Sequence, residues 1–458
     1  MAEYKTIAEY LDTVAAQIRW KRVKPAVLSE LEQHLSDQRD VFASEGHDDA
    51  EYMAIEEMGD PVALGVELDR IHRPKPQTGL LALTLLFAVV CAGLRIWLTA
   101  DWDYCYLNIN PHTTVLSVLL GGVALVGGYF LDYTLLARHG KKVYLGALLL
   151  SVLLLFVSPR INHIPHYTRY VTACYPIVYA IWVQTCRNQG WRGLLYALFG
   201  ILPLSAVCLL IPSTGDFLLL VIVGCIMFLL ATSKDWFGVG RVKTLLTATA
   251  VFLSTTAMLV YQLITSNLFM VRLEAFLHPE RYPTGRGYSA MVTKTVLSSS
   301  QWWGQGQWDN PTYPWPYEMT LPNCDSDLLL TTLIYRLGWV PFFLFIALFS
   351  ALLCWAVVRC LRQRSLFGKM VVYSVLLTFS LRAIASIALA MGYTWTSVAF
   401  PFLVGNLQMV MDMGMIGLVL SVFRQDGVAQ NTENLEGILR KRLHFQRVGS
   451  EGVLISYQ

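Results

Sequence analysis

Residues 321–338 read LPNCDSDLLLTTLIYRLG, an acidic, proline-marked loop that runs straight into a hydrophobic helix. The stretch sets carboxylates where a membrane meets water. An acidic side chain drawn to the bilayer centre costs about 2.5–3.5 kcal/mol, so Asp325 and Asp327 belong at the mouth of a polar cavity, where such groups commonly do chemistry. The rest of the chain is read outward from that rim: apolar runs as spans, and the long loop that ends here as the working part.

Composition supports this. Of 458 residues, 55% are hydrophobic and only 15% charged, and the mean hydropathy is positive. A soluble globule cannot cover that much apolar surface, whereas a polytopic membrane protein need not. The acids are unevenly placed, with 16 of the 32 Asp and Glu before Gln77 against nine Lys and Arg there. Residues 1–77 therefore form a soluble acidic module. Its apolar residues recur at helical spacing over 3–20, 23–45 and from Asp48 onward, with Gly59, Asp60 and Pro61 marking a turn before a last helix.

The later residues carry 26 Lys and Arg against 16 acids, the surplus of basic loops on one membrane face rather than a nucleic-acid footprint. Nine cysteines are scattered without CxxC or Cys/His ligand spacing, which supports neither a zinc site nor a disulfide framework. Cys105 and Cys324 are the two in loops expected outside the membrane. No short apolar signal segment opens the chain, so the first span is expected to direct insertion.

Ten apolar segments follow the module, at approximately 78–99, 113–137, 143–158, 170–186, 192–212, 215–233, 244–265, 328–358, 369–391 and 401–423. Several match the ~17–25 residues that a span needs. The short loops on one side hold twelve basic residues, from Arg138 to Lys369, and those on the other only Arg160 and Arg169. The positive-inside rule then puts both termini in the cytoplasm and the long loop 266–327 outside. The expected fold is all-α: about ten transmembrane helices over 78–423, a small helical domain at 1–77 before them, and a cytoplasmic tail at 424–458. The tail carries the basic run Arg440 to Arg442 and is expected near the anionic leaflet.

A loop of about sixty residues exceeds the ~12–15 of a passive connection. It holds Arg272, Arg281, Arg286 and Lys294, the glycine pairs Gly285/Gly287 and Gly304/Gly306, and the aromatics Trp302, Trp303, Trp308, Trp315 and Tyr317. Aromatic faces stack on sugars and cations pair with phosphate, so a greasy-tailed ligand with an anionic, sugar-bearing head fits. An aromatic belt that anchors the loop at the headgroups would look similar.

Four motifs in order resemble the SEDS family (FtsW, RodA, SpoVE). RLEAFLHPERYPTGRGYSAMVTK at 272–294 is similar to the family's R…fL.P…G.GYQ..QSK, and QWWGQG at 301–306 to GG..GkG. LPNCDSDLLLTTLIYRLG is similar to LPE..TDFIFAV..EElG, and GYTWTSVAFPFLVGNLQ at 392–408 echoes G…G.PLPF.SYGGSS while keeping Pro401 and Phe402. The resemblance places Asp327 on the family's essential aspartate. It also exposes departures: Asn323 stands for the glutamate after LP, Tyr335-Arg336 for a Glu-Glu pair, and neither QPSE nor a clean QPDLGT occurs. The acidic prefix looks like the short helical domain found before permease-like membrane proteins.

What the resemblance implies is a glycosyltransferase that polymerises lipid II into peptidoglycan strands at the outer face of the cytoplasmic membrane, in division, elongation or sporulation. Undecaprenyl pyrophosphate-linked glycan is the implied substrate and a class B penicillin-binding protein, a transpeptidase, the implied partner. Asp327 is the expected general base or metal ligand and Asp325 its helper. Lys294, Arg272 and Arg286 are expected on phosphate, with Trp302, Trp303, Gly304 and Gly306 in the substrate site. The ion would be Mg2+ or Mn2+, because the ligands are oxygens. A silent scaffold or regulator, and a lipid-linked-sugar flippase using mid-span carboxylates such as Asp132 and Asp412, are the alternatives.

Overall fold

The computed structural model describes residues 6–20, 24–72, 76–99, 111–161, 164–211, 213–240, 242–247, 249, 273–283, 285, 287–363, 365–393, 398–403, 406–425, 445–448 and 452–455. It divides into two compact units, Met1–Pro76 with Gln363–Ser365 and Phe423–Gln458, and Gln77–Arg362 with Leu366–Val422.

In the first unit, helices Ile7–Gln17, Lys24–Ser44, Ala50–Met58 and Pro61–His72 enclose Tyr10, Val14, Leu35 and Ala54. Local chemistry sets their ends. Thr6 accepts from the Glu9 amide, and Asp60 accepts from the amides of Val62 and Ala63 just ahead of a helix that starts with proline. Gly59, at φ +80°, ends the preceding helix. Side-chain clips to backbone, Glu51 to the Ile7 amide at 2.8 Å and Asp69 to the Arg19 amide at 2.9 Å, tie the helices across the bundle.

Among its described residues the second unit's regular structure is helical apart from a ribbon of two two-residue strands, Arg160–Ile161 with Ile164–Pro165. Among the described residues eight helices are long and apolar enough to cross a membrane: Thr78–Thr99, Pro111–Phe130, Gly140–Val157, Gly190–Leu210, Gly215–Ser233, Trp339–Arg362, Leu366–Ala390 and Leu407–Arg424. The expected segment 244–265 lies mostly outside the described residues, as do Cys105 and Arg440 to Arg442.

Three expected spans are corrected. The run 113–137 breaks at Asp132, which caps a new short helix, Tyr133–Arg138, by accepting from the Thr134 amide and hydroxyl. The run 170–186 resolves into His166–Thr172 and the eleven-residue Tyr175–Thr185. At 1.5 Å per residue the latter is too short to span alone. It is buried almost all round, packed on Gly140–Val157, Gly215–Ser233 and Leu366–Ala390, which is why it is apolar on every face. The run 328–358 is two helices, Leu329–Leu337 and Trp339–Arg362, parted by Gly338 at φ +99°.

Small residues bring helices close elsewhere. Gly121 and Gly128 face Met413, Gly414 and Gly417, and a Cβ on Gly128 would meet the Gly417 Cα at 3.0 Å. Backbones approach that closely only where side chains are missing. Deeper in the same bundle Arg382 and Asp412 pair at 2.6 Å, and Asp412 also accepts from the Phe402 amide at 3.0 Å and Gln408 Nε2 at 2.9 Å.

Candidate active site at the acidic turn

The turn that carries Asp325 and Asp327 hangs between two short helices, Tyr317–Thr320 and Leu329–Leu337. Asn323 adopts φ +51°, a conformation its short polar side chain tolerates, and this lets its carbonyl accept from the amides of both Ser326 and Leu328. Thr332, fully buried one turn into the second helix, donates to the Cys324 carbonyl at 3.0 Å. The Cys324 thiol in turn contacts the Glu318 carbonyl at 3.5 Å. These bonds set the two carboxylates in unlike surroundings: Asp325 is 2% exposed, whereas Asp327 is half-buried.

Beneath the turn lies a small hydrophobic core of Val292, Val296, Tyr317, Leu321, Cys324, Leu328, Tyr335 and Leu389. It docks helix Tyr288–Ser298 against Leu329–Leu337. Tyr288 donates to the Thr320 carbonyl at 3.0 Å and Thr331 to the Ala390 carbonyl at 3.1 Å, so the first short helix and the second are each tied to another element.

The glycine-aromatic strap at 301–306 is fastened to the same element. The Gly304 and Gly306 amides donate to the carbonyls of Leu337 and Tyr335, and the Trp339 and Val340 amides donate to those of Gln301 and Trp302. Glycine is needed at both ends of this contact. A Cβ on Gly306 would meet the Tyr335 ring at 2.7 Å, and one on Gly338 the Trp302 carbonyl at 2.6 Å. Trp302 and Trp303 themselves remain exposed beside the strap. Trp308 stacks on Tyr313 at 6.5 Å and donates to the Trp315 carbonyl, so it is part of the loop's own packing.

Lys294 projects exposed from Tyr288–Ser298, its stem against Gly392. The Glu280 carboxyl is held below its ordinary range by its own backbone amide, then by the His278 ring at 3.1 Å, with Lys294 contributing at longer range. Arg272 and Arg286 lie outside the described residues. Thus Asp325, Asp327, Gly304, Gly306 and the two tryptophans share one scaffold built on Leu329–Leu337, and Lys294 stands on the helix docked against it.

Among the described residues no group of three or more His, Cys, Asp or Glu side chains converges as a metal cage. Magnesium is commonly held by one or two carboxylates with phosphate and water completing its shell, a role open to the half-buried Asp327.

Two arrangements were not anticipated from sequence. Arg336 donates through Nε to the Tyr317 hydroxyl at 3.0 Å and lies 4.0 Å from Glu318, while the Tyr317 and Tyr335 rings pack at 4.1 Å. The second is the Arg382–Asp412 pair. Its signal was present, since each is the lone charge inside a neighbouring apolar run, and such charges pair. Asp132, by contrast, is a helix cap rather than a mid-span group.

A family model described as "Cell cycle protein" (FtsW, RodA, SpoVE) matches residues 171–427, more than half of the chain. The chain is 26% identical over 241 residues to a probable peptidoglycan glycosyltransferase FtsW of Idiomarina loihiensis, covering 51% of this chain and 55% of that protein. It is 28% identical over 243 residues to that of Thioalkalivibrio sulfidiphilus (52% and 57%) and 24% over 165 residues to that of Trichlorobacter lovleyi (36% and 42%). It thus spans about half the length of these relatives.

Among solved structures, a chain of a peptidoglycan synthase complex aligns with TM-score 0.57 at 16% identity, over 77% of this chain and 98% of that one. The rod shape determining protein RodA of Thermus thermophilus aligns with TM-score 0.50 at 15% identity, over 76% and 96%. The fold is theirs, and with the matched family model the conclusion is that this chain, a multi-pass membrane protein, belongs to the FtsW/RodA/SpoVE family.

Proposed function

We propose that the protein is a peptidoglycan glycosyltransferase that polymerises lipid II at the outer face of the cytoplasmic membrane, with both termini in the cytoplasm. The observation that carries this reading is a half-buried carboxylate, Asp327, on a turn buttressed from below, with an exposed tryptophan pair strapped to the other end of the helix that follows it. Family membership supports it.

The chemistry joins two lipid-linked sugars. A hydroxyl of one attacks the anomeric carbon of the other, and the C–O bond to undecaprenyl pyrophosphate breaks with its electron pair leaving on the phosphate. A sugar hydroxyl is a poor nucleophile at neutral pH, and a positioned general base contributes ~10²–10⁴-fold. Asp327 takes that proton. Asp325, buried two residues before it, helps to hold the turn's negative field in place. Lys294, with Arg272 and Arg286 assigned from sequence, meets the pyrophosphate, and Trp302 and Trp303 offer faces to the sugars. A divalent cation, Mg2+ or Mn2+, held at Asp327 would add positive charge against the departing pyrophosphate.

The partner proposed is a class B penicillin-binding protein, whose transpeptidase would cross-link the strands. Polymerisation of lipid II by the purified protein, with and without Asp327, tests the assignment. A second reading, a silent scaffold, is favoured by one observation: Asn323, Tyr335 and Arg336 replace three acids expected from the family pattern. A parent protein inactive with its partner and a divalent ion supplied would select that reading. A flippase is disfavoured, because the deep charge Asp412 is already neutralised by Arg382.

A further inference from the structure

Arg336 occupies a position where the family pattern carries an acid, and its surroundings supply what that reversal needs. Its side chain is 10% exposed and Glu318, 4.0 Å away, is 24% exposed. A guanidinium so far from water is costly unless it is bonded, and here Nε donates to the Tyr317 hydroxyl at 3.0 Å. Both partners sit on Tyr317–Thr320, the short helix on the far side of the acidic turn.

Neither arm of that turn can hold itself. The helices have four and nine residues, below the ~12–15 at which an isolated helix is even marginal in water. The turn between them is held by the elements to which each arm is tied and by the contacts that bind one arm to the other. Those contacts include the ring packing of Tyr317 on Tyr335, the Thr332 and Cys324 bonds, and the Arg336 bridge. The Arg336 bridge links side chain to side chain through a charge.

We propose that Arg336 is a positioning residue: it braces the two arms through Tyr317 and Glu318 and so sets where the Asp327 carboxylate stands relative to substrate. The brace acts through its geometry and not through the sign of its charges. A carboxylate at 336 could accept from the Tyr317 hydroxyl as readily as the guanidinium donates to it, provided that 318 carries the opposite charge. The kinetic part of this inference rests on the glycosyltransferase reading; the structural part does not.

The test uses the full-length protein in detergent with Arg336→Ala, Tyr317→Phe and the double reversal Glu318→Arg/Arg336→Glu, measured by amide hydrogen exchange and lipid II polymerisation. Arg336→Ala should speed exchange across 321–328 by about tenfold, the loss expected for a bond to a charged group, and leave residues 7–17 unchanged. Its kcat should fall about 10²-fold with KM within twofold, since a misplacement near 1 Å has that cost and substrate grip lies elsewhere.

Tyr317→Phe keeps the ring and removes only the hydroxyl, so it should give a smaller change in the same peptides, and it serves if Arg336→Ala fails to fold. The double reversal should return both readouts to within about threefold of the parent; a general loss of stability would not be rescued in this way. Unchanged exchange at 321–328 in both single variants overturns the brace. A double reversal no better than Arg336→Ala overturns the claim that its geometry acts regardless of sign. A parent that does not polymerise defeats the glycosyltransferase reading instead, and exchange still judges the brace.

Discussion

The Arg382 guanidinium and the Asp412 carboxylate meet at 2.6 Å inside the helix bundle, with side chains 5% and 0% exposed. The pair also anchors the chain between the last two spans. Arg382 Nη2 reaches the Ala399 carbonyl at 3.3 Å, and Asp412 holds the amide of Phe402, a residue at φ +63°. A bulky side chain in that conformation persists only where its surroundings impose it.

Breaking this pair from one side should therefore cost more than removing it. Asp412→Ala or Arg382→Ala leaves a buried charge unmatched and should destabilise by about 3–5 kcal/mol, read as thermal unfolding in detergent. Arg382→Met/Asp412→Leu should recover a large part of that loss. A double variant as unstable as the worse single one would show that the bonds to Phe402 and Ala399, and not charge neutralisation, dominate.

Gly338 offers a second check. At φ +99°, with the Trp302 carbonyl where a Cβ would go, it cannot accept alanine without loosening the strap at 301–306. Gly338→Ala should lower stability by about 1–3 kcal/mol, the cost of a strained backbone residue. It should also weaken lipid II binding if the tryptophan pair contributes grip. Lost stability with unchanged affinity would assign the strap to scaffolding alone.

Gly338 marks where sequence reading runs out. Apolar length finds spans, and five of the eight long helices lie within about three residues of expectation because a bilayer demands that length. Averaged hydropathy does not register a single left-handed glycine, so Gly338 was absorbed into one long run and the arm Leu329–Leu337 was hidden inside a span. The acidic turn was legible because carboxylates beside an apolar run are costly. The Arg336–Tyr317 bridge was not, since it joins residues that only the folded turn brings together.

Topology is tested by accessibility. With twelve basic loop residues against two, a cysteine placed at 308 in a protein otherwise free of accessible thiols should react with a membrane-impermeant reagent in intact cells. Reaction only after the inner face is exposed would put the acidic turn on the wrong side for an external polymerase.

Lys294 is exposed and shares its neighbourhood with the Glu280 carboxylate, so it can reach solvent or a ligand phosphate. Lys294→Ala should weaken lipid II binding about tenfold, the scale of one charge-assisted bond, with little effect on stability. An unchanged affinity in correctly folded protein would reduce the residue to an ordinary solvated cation.

Asp327 carries the sharpest prediction. It is the half-buried carboxylate of the turn, whereas Asp325 is nearly inaccessible. A group that takes a proton from substrate must reach substrate, and one that is buried acts through packing and field. Asp327→Asn keeps size and loses charge, so it can neither accept a proton well nor hold a divalent cation strongly; polymerisation should fall ~10²–10⁴-fold. Asp325→Asn should cost far less in rate and show its effect chiefly in stability. Polymerisation by Asp327→Asn at the parent rate would exclude that carboxylate from the chemistry. The reverse ranking, with Asp325→Asn dead and Asp327→Asn active, would move the base to Asp325 and require the turn to open before it acts.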